Sequence, residues 1–594
     1  MNIKRITYKF RAALVLTLAL TVLLAGCAGG GGDANTADAG VDTSDTSVTP
    51  SDTGDSGTSD ATLASLGLDV GLADAWDGTA DASVVFTDSQ ATVDGSGAVS
   101  DGTTVTITAG GDYLVSGRCS DGQILVDSSD NVTLVLNGLD LTCAASAPIY
   151  VKSAKNATVF LASGTENALS DGEGFSYSDA EKEEPNATVF SKDDLYILGD
   201  GALTVTAVFN NGIQSKDDLV IQSGSLTVTA ANDAVKGKDS VVITGGTLTL
   251  KAGEDGICAT NTEDAGRGYI AVTGGTVTVT AGNDGLQAAN AVNITGGVFD
   301  ITTGGGAGEF TVNTGMGGSG RPGGGRWGGD WSKSSSSDEE SAKGIKAETE
   351  LNISGGTFTL DCADDALHSN GDLTVSGGTV TAATGDDGLH ADDVVTVSSG
   401  SITVTQSKEG IEGHTINQSG GKVDLTASDD GYNATSGDGG KGLLNITGGT
   451  VHVNAYGDGL DSNGSATMTG GMVTVSGPTD NGNGALDYDL SFTVSGGTLV
   501  ACGSAGMAMS VSSEGDAAVI AANVGAIAAD TTIGVIDADG SPVIFFTPEK
   551  TYSTVVFASD LLTGGAVYTV AYGGTVTDGV WTGYSALGEL TAGK

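Results

Sequence analysis

"ADDALHSNGDLTVSGGTVTAATGDDGLHADD", residues 363–393, states one pattern twice. Asp364, Asp365, a small residue, Leu367 and His368 return as Asp386, Asp387, Gly388, Leu389 and His390, at a spacing of 22 residues. Between the copies, runs such as Thr-Val-Thr-Ala alternate polar with apolar side chains. That period of two belongs to strands with one buried face. Gly-Gly and Asp-Gly interrupt the runs with backbones that tolerate positive φ, so each interruption reads as a corner.

The same unit extends in both directions. Copies start at 209, 231, 253 (with an insertion), 282, 341, 363, 385, 407, 428 and 456, and the pattern decays over 492–503. Less regular copies start at 131 and 187. No unit can bury its apolar face alone; stacked, each would pair with the next and line up Val, Ile and Leu as internal columns. About eleven such coils, roughly 4.8 Å apart, make a rod on the order of 50 Å long. Three short strands in each 22-residue coil predict an all-β chain folded as a parallel β-helix over residues 131–503. A β-propeller needs four strands in every 40 to 50 residues or so, and leucine-rich repeats need their Leu/Asn consensus; neither pattern is present.

The flanks differ from the repeat. Lys4, Arg5, Lys9 and Arg11 precede the apolar run "AALVLTLALTVLLAGC", which reads as a signal peptide over residues 1–26. "LAGC" at 24–27 resembles a lipobox with Cys27 as the acylated residue, so an extracellular protein anchored by lipid to a bacterial membrane is expected. Residues 27–62 read as an acidic disordered tether. Residues 63–130 and 504–594 are β-rich without the period and read as caps that protect the open ends of the ladder. The Gly/Ser-rich insertion 304–340, with Arg321, Arg326, Trp327 and Trp331, reads as a disordered loop extruded from one corner. The remaining cysteines, Cys119, Cys143, Cys258, Cys362 and Cys502, show no CxxC and no zinc spacing, although Cys119 and Cys143 could pair.

Charge narrows the partners. The chain has 594 residues, 96 of them Gly, and a formal charge of −50. Nucleic acid and anionic membrane surfaces are poor partners for such a chain, whereas cations, or acidic ligands reached through cations, are good ones. A monomer is expected, touching the membrane only through its lipid.

A constant repeat turns each register position into a column. One corner carries Asn210-Asn211, Asn232-Asp233, Glu254-Asp255 and Asn283-Asp284, then Asp364-Asp365, Asp386-Asp387, Lys408-Glu409, Asp429-Asp430 and Gly457-Asp458. Asp and Asn before Gly are good turn formers, but carboxylates roughly 5 Å apart repel and raise one another's pKa. Ca2+ relieves this with six to eight oxygen ligands. Asp364, Asp365, Asp386, Asp387, Glu409, Asp429 and Asp430 are the expected calcium ligands, with Asp458 as an extension. Three residues on lies a polar column expected to face solvent: Gln214, Lys236, Cys258, Gln287, Lys346, His368, His390, Glu412, Asn433 and Asp461. In it His368, His390 and Glu412, with Lys408 beside them, are candidate ligand-binding residues.

Taken in order, "DGQILVD", "VTLVLNGLDLT", "APIYVKSAKNATVFLASGTENALSDG", "GDDGLHADDVVTVSSGSITV", "SKEGIEG", "SDDGYNA" and "FTPEKTYSTVVFAS" resemble the bacterial carbohydrate-binding β-helix family whose founding member binds polygalacturonate and cellulose. The resemblance spans about residues 85–590. It implies a right-handed, pectate-lyase-like β-helix, bound calcium, acidic polysaccharide as ligand and no established catalysis, with the Asp-Asp-Gly corners as the metal ligands. Two departures stand out: "SKEG" at 407–410 has Lys408 where the resemblance leads one to expect tyrosine, and aromatics make up only 5% of residues. Three functions therefore compete: a calcium-dependent binder of polygalacturonate-type or cellulosic polysaccharide, a calcium-dependent pectate lyase with Lys408 as base, and a structural spacer or adhesin.

Overall fold

Thr-Val-Thr alternation does become strand. The computed structural model describes residues 71–310, 341–435, 441–577 and 579–594. The expected signal peptide, Cys27, the tether and residues 311–340 of the insertion lie outside them. The described residues contain strands and turns and no helix. Most strands join one large, mainly parallel sheet.

Through most of the ladder a strand pairs with the strand three further along the chain. Asn211–Ser215 lies beside Val235–Gly237, with Ile213 opposite Val235. Asp218–Ile221 lies beside Ser240–Ile243, with Leu219 opposite Val241. Ser225–Ala230 lies beside Thr247–Ala252, with Leu226 opposite Leu248. The third strand of each repeat alternates exposed and buried positions, so Leu226, Val228 and Ala230 face the core while the intervening Ser225, Thr227 and Thr229 do not. Equivalent residues stack on one another from repeat to repeat; the rings of Phe299 and Phe358 lie 4.7 Å apart and nearly parallel.

Two kinds of glycine make the corners. Gly378, between the second and third strands, has φ of 83° and meets the positive-φ expectation. Gly388, in the Asp-Gly corner, does not. A Cβ there would meet the carbonyl oxygen of Gly410 at 2.5 Å, so this position is small because successive repeats approach closely. Ala366 fills the equivalent place one repeat earlier, in keeping with a limit on size rather than on φ.

The parallel ladder starts earlier than its period. Ala82–Phe86 pairs in parallel with Gly111–Cys119, and that strand with Val132–Cys143. Residues 82–127, read from sequence within an aperiodic cap, thus contribute parallel strands. Their spacing is uneven because Ala91–Gly95 and Ala98–Asp101 fold back as antiparallel partners. At the other end Thr498–Gly503 pairs antiparallel with Tyr552–Ser559, and a separate four-stranded sheet follows. The ladder's last edge is therefore covered.

Cys119, Cys143, Cys258, Cys362 and Cys502 are all buried free thiols. Cys119 stands opposite Leu141, which leaves Cys143 two residues beyond it on the neighbouring strand, and the pair considered from sequence is not formed.

Candidate functional site

The Asp-Gly corner precedes the first strand of each repeat, and the polar column lies on that strand. The register is continuous: Lys346 stands opposite His368, His368 opposite His390, His390 opposite Glu412, Glu412 opposite Asn433 and Asn433 opposite Asp461.

The two acids of each corner have different jobs. The second is buried: Asp365 and Asp387 are each 3% exposed. In several repeats, though not at Asp387, its carboxylate accepts the backbone N–H of the equivalent residue in the next repeat. Asp365 Oδ1 accepts from Asp387 N at 2.9 Å, and Asp430 Oδ1 from Asp458 N at 2.6 Å. Asn211 does the same for Asp233 at 3.1 Å, so at this step an amide oxygen suffices. The first acid is the more exposed member, as Asp364 and Asp386 show.

The polar column does not face solvent as expected. Gln214, Cys258, His368 and Asn433 are buried, His368 being 8% exposed. The chain bends at the corner, so the residue three positions on folds back over the acid. His368 Nδ1 lies 2.8 Å from Asp365 Oδ2, His390 Nδ1 lies 2.8 Å from Asp387 Oδ2, and Lys236 Nζ donates to Asp233 at 2.7 Å. The two histidine rings stack with centroids 4.9 Å apart. Glu412 Oε2 is 4.0 Å from His390 Nδ1. Asn433 donates to Glu409 at 2.6 Å.

Lysines neutralise part of the acid column. Lys343 Nζ lies 2.7 Å from Asp364 and 2.8 Å from Asp365, and Lys408 Nζ lies 3.1 Å from Asp386. Burial opposes the Asp365 charge, but the His368 hydrogen bond and Lys343 outweigh it and hold that carboxyl well below its usual range. Burial likewise opposes the Lys408 charge, yet Asp386 and Glu409 hold its ammonium well above the ordinary value. Lys343, Lys346, Asp364, His368, Asp386 and Lys408 line an open cleft of about 810 Å3.

Further along, acids stand without ammonium partners. Among the described residues Asp429, Asp430, Asp458 and Asp461 make no ion pair. Burial, followed by the neighbouring acids Asp458 and Asp429, pushes Asp430 up to about 8. Burial raises Asp458 to about 6 and Asp461 to about 7, with nearby acids adding to it. Gly457 takes the first corner position here, and a Cβ on it would collide with Oδ1 of both Asp429 and Asp430. Asp429 and Asp430 thus crowd the first corner position of the next repeat, and carboxylate oxygens brought together in this way suit a hard divalent cation.

Every described candidate from the sequence falls in this one band: Asp364, Asp365, Asp386, Asp387, Glu409, Asp429, Asp430 and Asp458 in the corners, and His368, His390, Glu412 and Lys408 against them. The sequence reading did not identify Lys343 as the partner of Asp364 and Asp365. It also passed over Asn370, which meets His368 Nε2 at 2.7 Å. The signal available for Lys343 was its place one repeat before the Asp-Asp pair.

A family model described as carbohydrate-binding domain-containing protein matches residues 101–388 and 386–544. The chain belongs to this family. A carbohydrate-binding domain-containing protein of Acetivibrio thermocellus is 47% identical over 128 residues, 21% of this chain and 45% of that protein. The chain thus spans less than half the length of that relative. A solved structure, that of the polysaccharide lyase-like protein from C. thermocellum as a gadolinium derivative, is 41% identical, covers 38% of this chain and 92% of its own, and has a TM-score of 0.37.

Proposed function

We propose that this chain is a cell-surface binder of acidic polysaccharide, polygalacturonate or pectin in type, acting through calcium held in the corner column. The framework is read as a right-handed parallel β-helix of three strands per 22-residue coil, capped at both ends, monomeric, and tethered through a lipid on Cys27. The repeat-to-repeat pairing of strands three apart supports the helix. Membership of a carbohydrate-binding family supports the glycan.

The observation that carries the calcium reading is the set Asp429, Asp430, Asp458 and Asp461. These half-buried carboxyls are all pushed up by burial and by neighbouring acids, Asp430 furthest, and have no ammonium partner among the described residues, so a bound cation would relieve their repulsion. Asp364, Asp365 and Asp386 are already matched by Lys343 and Lys408, which favours calcium beyond them, on Asp429, Asp430 and Asp458. Sugar carboxylates would complete the coordination shell of the ion, which lets a chain of charge −50 approach a polyanion.

The lyase alternative is weaker on this geometry. Proton abstraction needs a base that is free at the operating pH. Lys408, the best candidate, is instead held as an ammonium by Asp386. Incubation with polygalacturonate and calcium is expected to give no rise in unsaturated-product absorbance; a Lys408-dependent rise would favour the lyase reading. The calcium site itself is tested by thermal melting with calcium and with chelator. Calcium is expected to raise the melting temperature of the parent, and Asp430→Asn with Asp458→Asn is expected to abolish that rise. An undiminished rise in the double variant would place calcium elsewhere.

A further inference from the structure

The stacked histidines are over-supplied with acceptors. His368 meets Asp365 Oδ2 at Nδ1 and Asn370 Oδ1 at Nε2, at 2.8 and 2.7 Å. His390 meets Asp387 Oδ2 at Nδ1 and Asp392 Oδ1 at Nε2, at 2.8 and 3.4 Å. A neutral imidazole has one N–H, so a ring facing ionised carboxylate or amide oxygens at both nitrogens is served either as imidazolium or by offering one lone pair to another cation. Two imidazolium rings with centroids 4.9 Å apart repel, so one of them is better served by the second arrangement.

The aspartates decide which ring that is. Asp365 is saturated: Oδ1 takes the Asp387 N–H, and Oδ2 takes Lys343 as well as His368. Asp387 is not. Its Oδ1 is buried and has no hydrogen-bond partner, in a residue only 3% exposed. Around His390 Nδ1 there are thus a carboxylate with an unused oxygen at Asp387 and a second carboxylate at Glu412, Oε2 being 4.0 Å away.

We propose that His390 Nδ1, Asp387 and Glu412 bind one divalent metal ion of borderline softness, of the zinc or cobalt class, at a site distinct from the calcium site above. One ligand atom from each residue falls within 4.8 Å of the others. Metal–ligand bonds of about 2.0–2.2 Å put tetrahedral donors roughly 3.4 Å apart. The observed 2.8 and 4.0 Å separations straddle that value, so small side-chain adjustments suffice. On binding, the Nδ1 proton leaves to solvent and the lone pair takes the metal. Nε2–H then donates to Asp392, the carboxylate–histidine–metal arrangement that fixes ring orientation. An imidazole ligand favours such ions over calcium, which takes oxygen. The inference does not rest on glycan binding.

The test uses the untagged, metal-stripped full chain, titrated with Zn2+ by calorimetry and with Co2+ by visible absorption. One saturable Zn2+ equivalent and cobalt d–d bands are expected. His390→Gln and, separately, Glu412→Gln are expected to weaken Zn2+ by tenfold or more, and Asp392→Asn by about 10–100-fold through ring orientation. All three should retain the calcium-dependent rise in melting temperature, which separates failure here from failure of the calcium reading. Absence of saturable Zn2+ binding, or equal affinity in the parent and in both His390→Gln and Glu412→Gln, would overturn the site and leave Asp387–His390 as an ion pair.

Discussion

At the scale of the residue, the corner acids divide into structural acceptors and charge carriers. Asp365 does both, accepting the Asp387 N–H and pairing with Lys343. Asp365→Asn keeps an acceptor for that N–H, as Asn211 does several repeats earlier in the same column. Asp365→Ala leaves it unmade, which costs about 1–3 kcal/mol for a buried donor. Denaturant unfolding is therefore expected to rank parent, Asn and Ala in falling stability, and an Ala variant as stable as Asn would contradict the acceptor role. Gly457 carries the second residue-scale expectation. A Cβ there would press on the Asp429 and Asp430 carboxylates and on the Asp429 backbone carbon at 2.6 Å, so Gly457→Ala is expected to lower metal-free melting and to weaken calcium by tenfold or more; a folded variant with unchanged calcium affinity, read by calorimetry, would contradict this. Both columns of this site were legible in the sequence because the spacing is constant. Their contact was not. In a straight strand residues three apart point to opposite faces, and only the bend at the corner lays His368 over Asp365 and His390 over Asp387.

At the scale of the element, register was the most legible feature. Thr-Val alternation and Gly-Gly corners marked the strands from Asn211 onward. The N-terminal strands escaped the same reading because Ala91–Gly95 and Ala98–Asp101 interrupt the spacing while leaving the parallel pairing intact. The Asp-Gly glycine was recognised but for the wrong reason: Gly388 is set by its approach to Gly410, not by φ. Gly388→Ala is therefore expected to destabilise, because its Cβ would meet the Gly410 carbonyl oxygen at 2.5 Å, and Gly388→Val, which adds branched bulk between repeats, is expected to cost about 1–3 kcal/mol more. Melting temperatures of the two variants check this. Equal losses would mean that the limit is on φ after all.

At the scale of the whole molecule, charge and pH are coupled through the column. Burial, with crowding by neighbouring acids, raises Asp387 to about 7, Asp430 to about 8 and Asp461 to about 7. The native state then holds protons that the unfolded chain has released above the ordinary value of 3.8. Their stabilising contribution is full below that value and is lost as pH rises through about 7 to 8. With chelator present, the melting temperature is expected to fall between pH 5 and pH 8, and calcium is expected to flatten that fall. A fall that is equally steep with calcium would mean that the ion does not sit on these groups. Composition and repeat were enough to expect an all-β chain with an affinity for cations. The lysine pairing that divides the column was hidden, because it depends on Lys343 and Lys408 reaching acids in neighbouring repeats.

The measurement that bears most directly on the proposed function is calorimetry of polygalacturonate with the purified protein, in calcium and in chelator, alongside a variant carrying Asp429→Asn and Asp430→Asn. Binding is expected only with calcium and only in the parent, provided the variant melts as a folded protein. Binding that survives chelator, or that the folded variant retains in full, would contradict a calcium-bridged glycan site on this column.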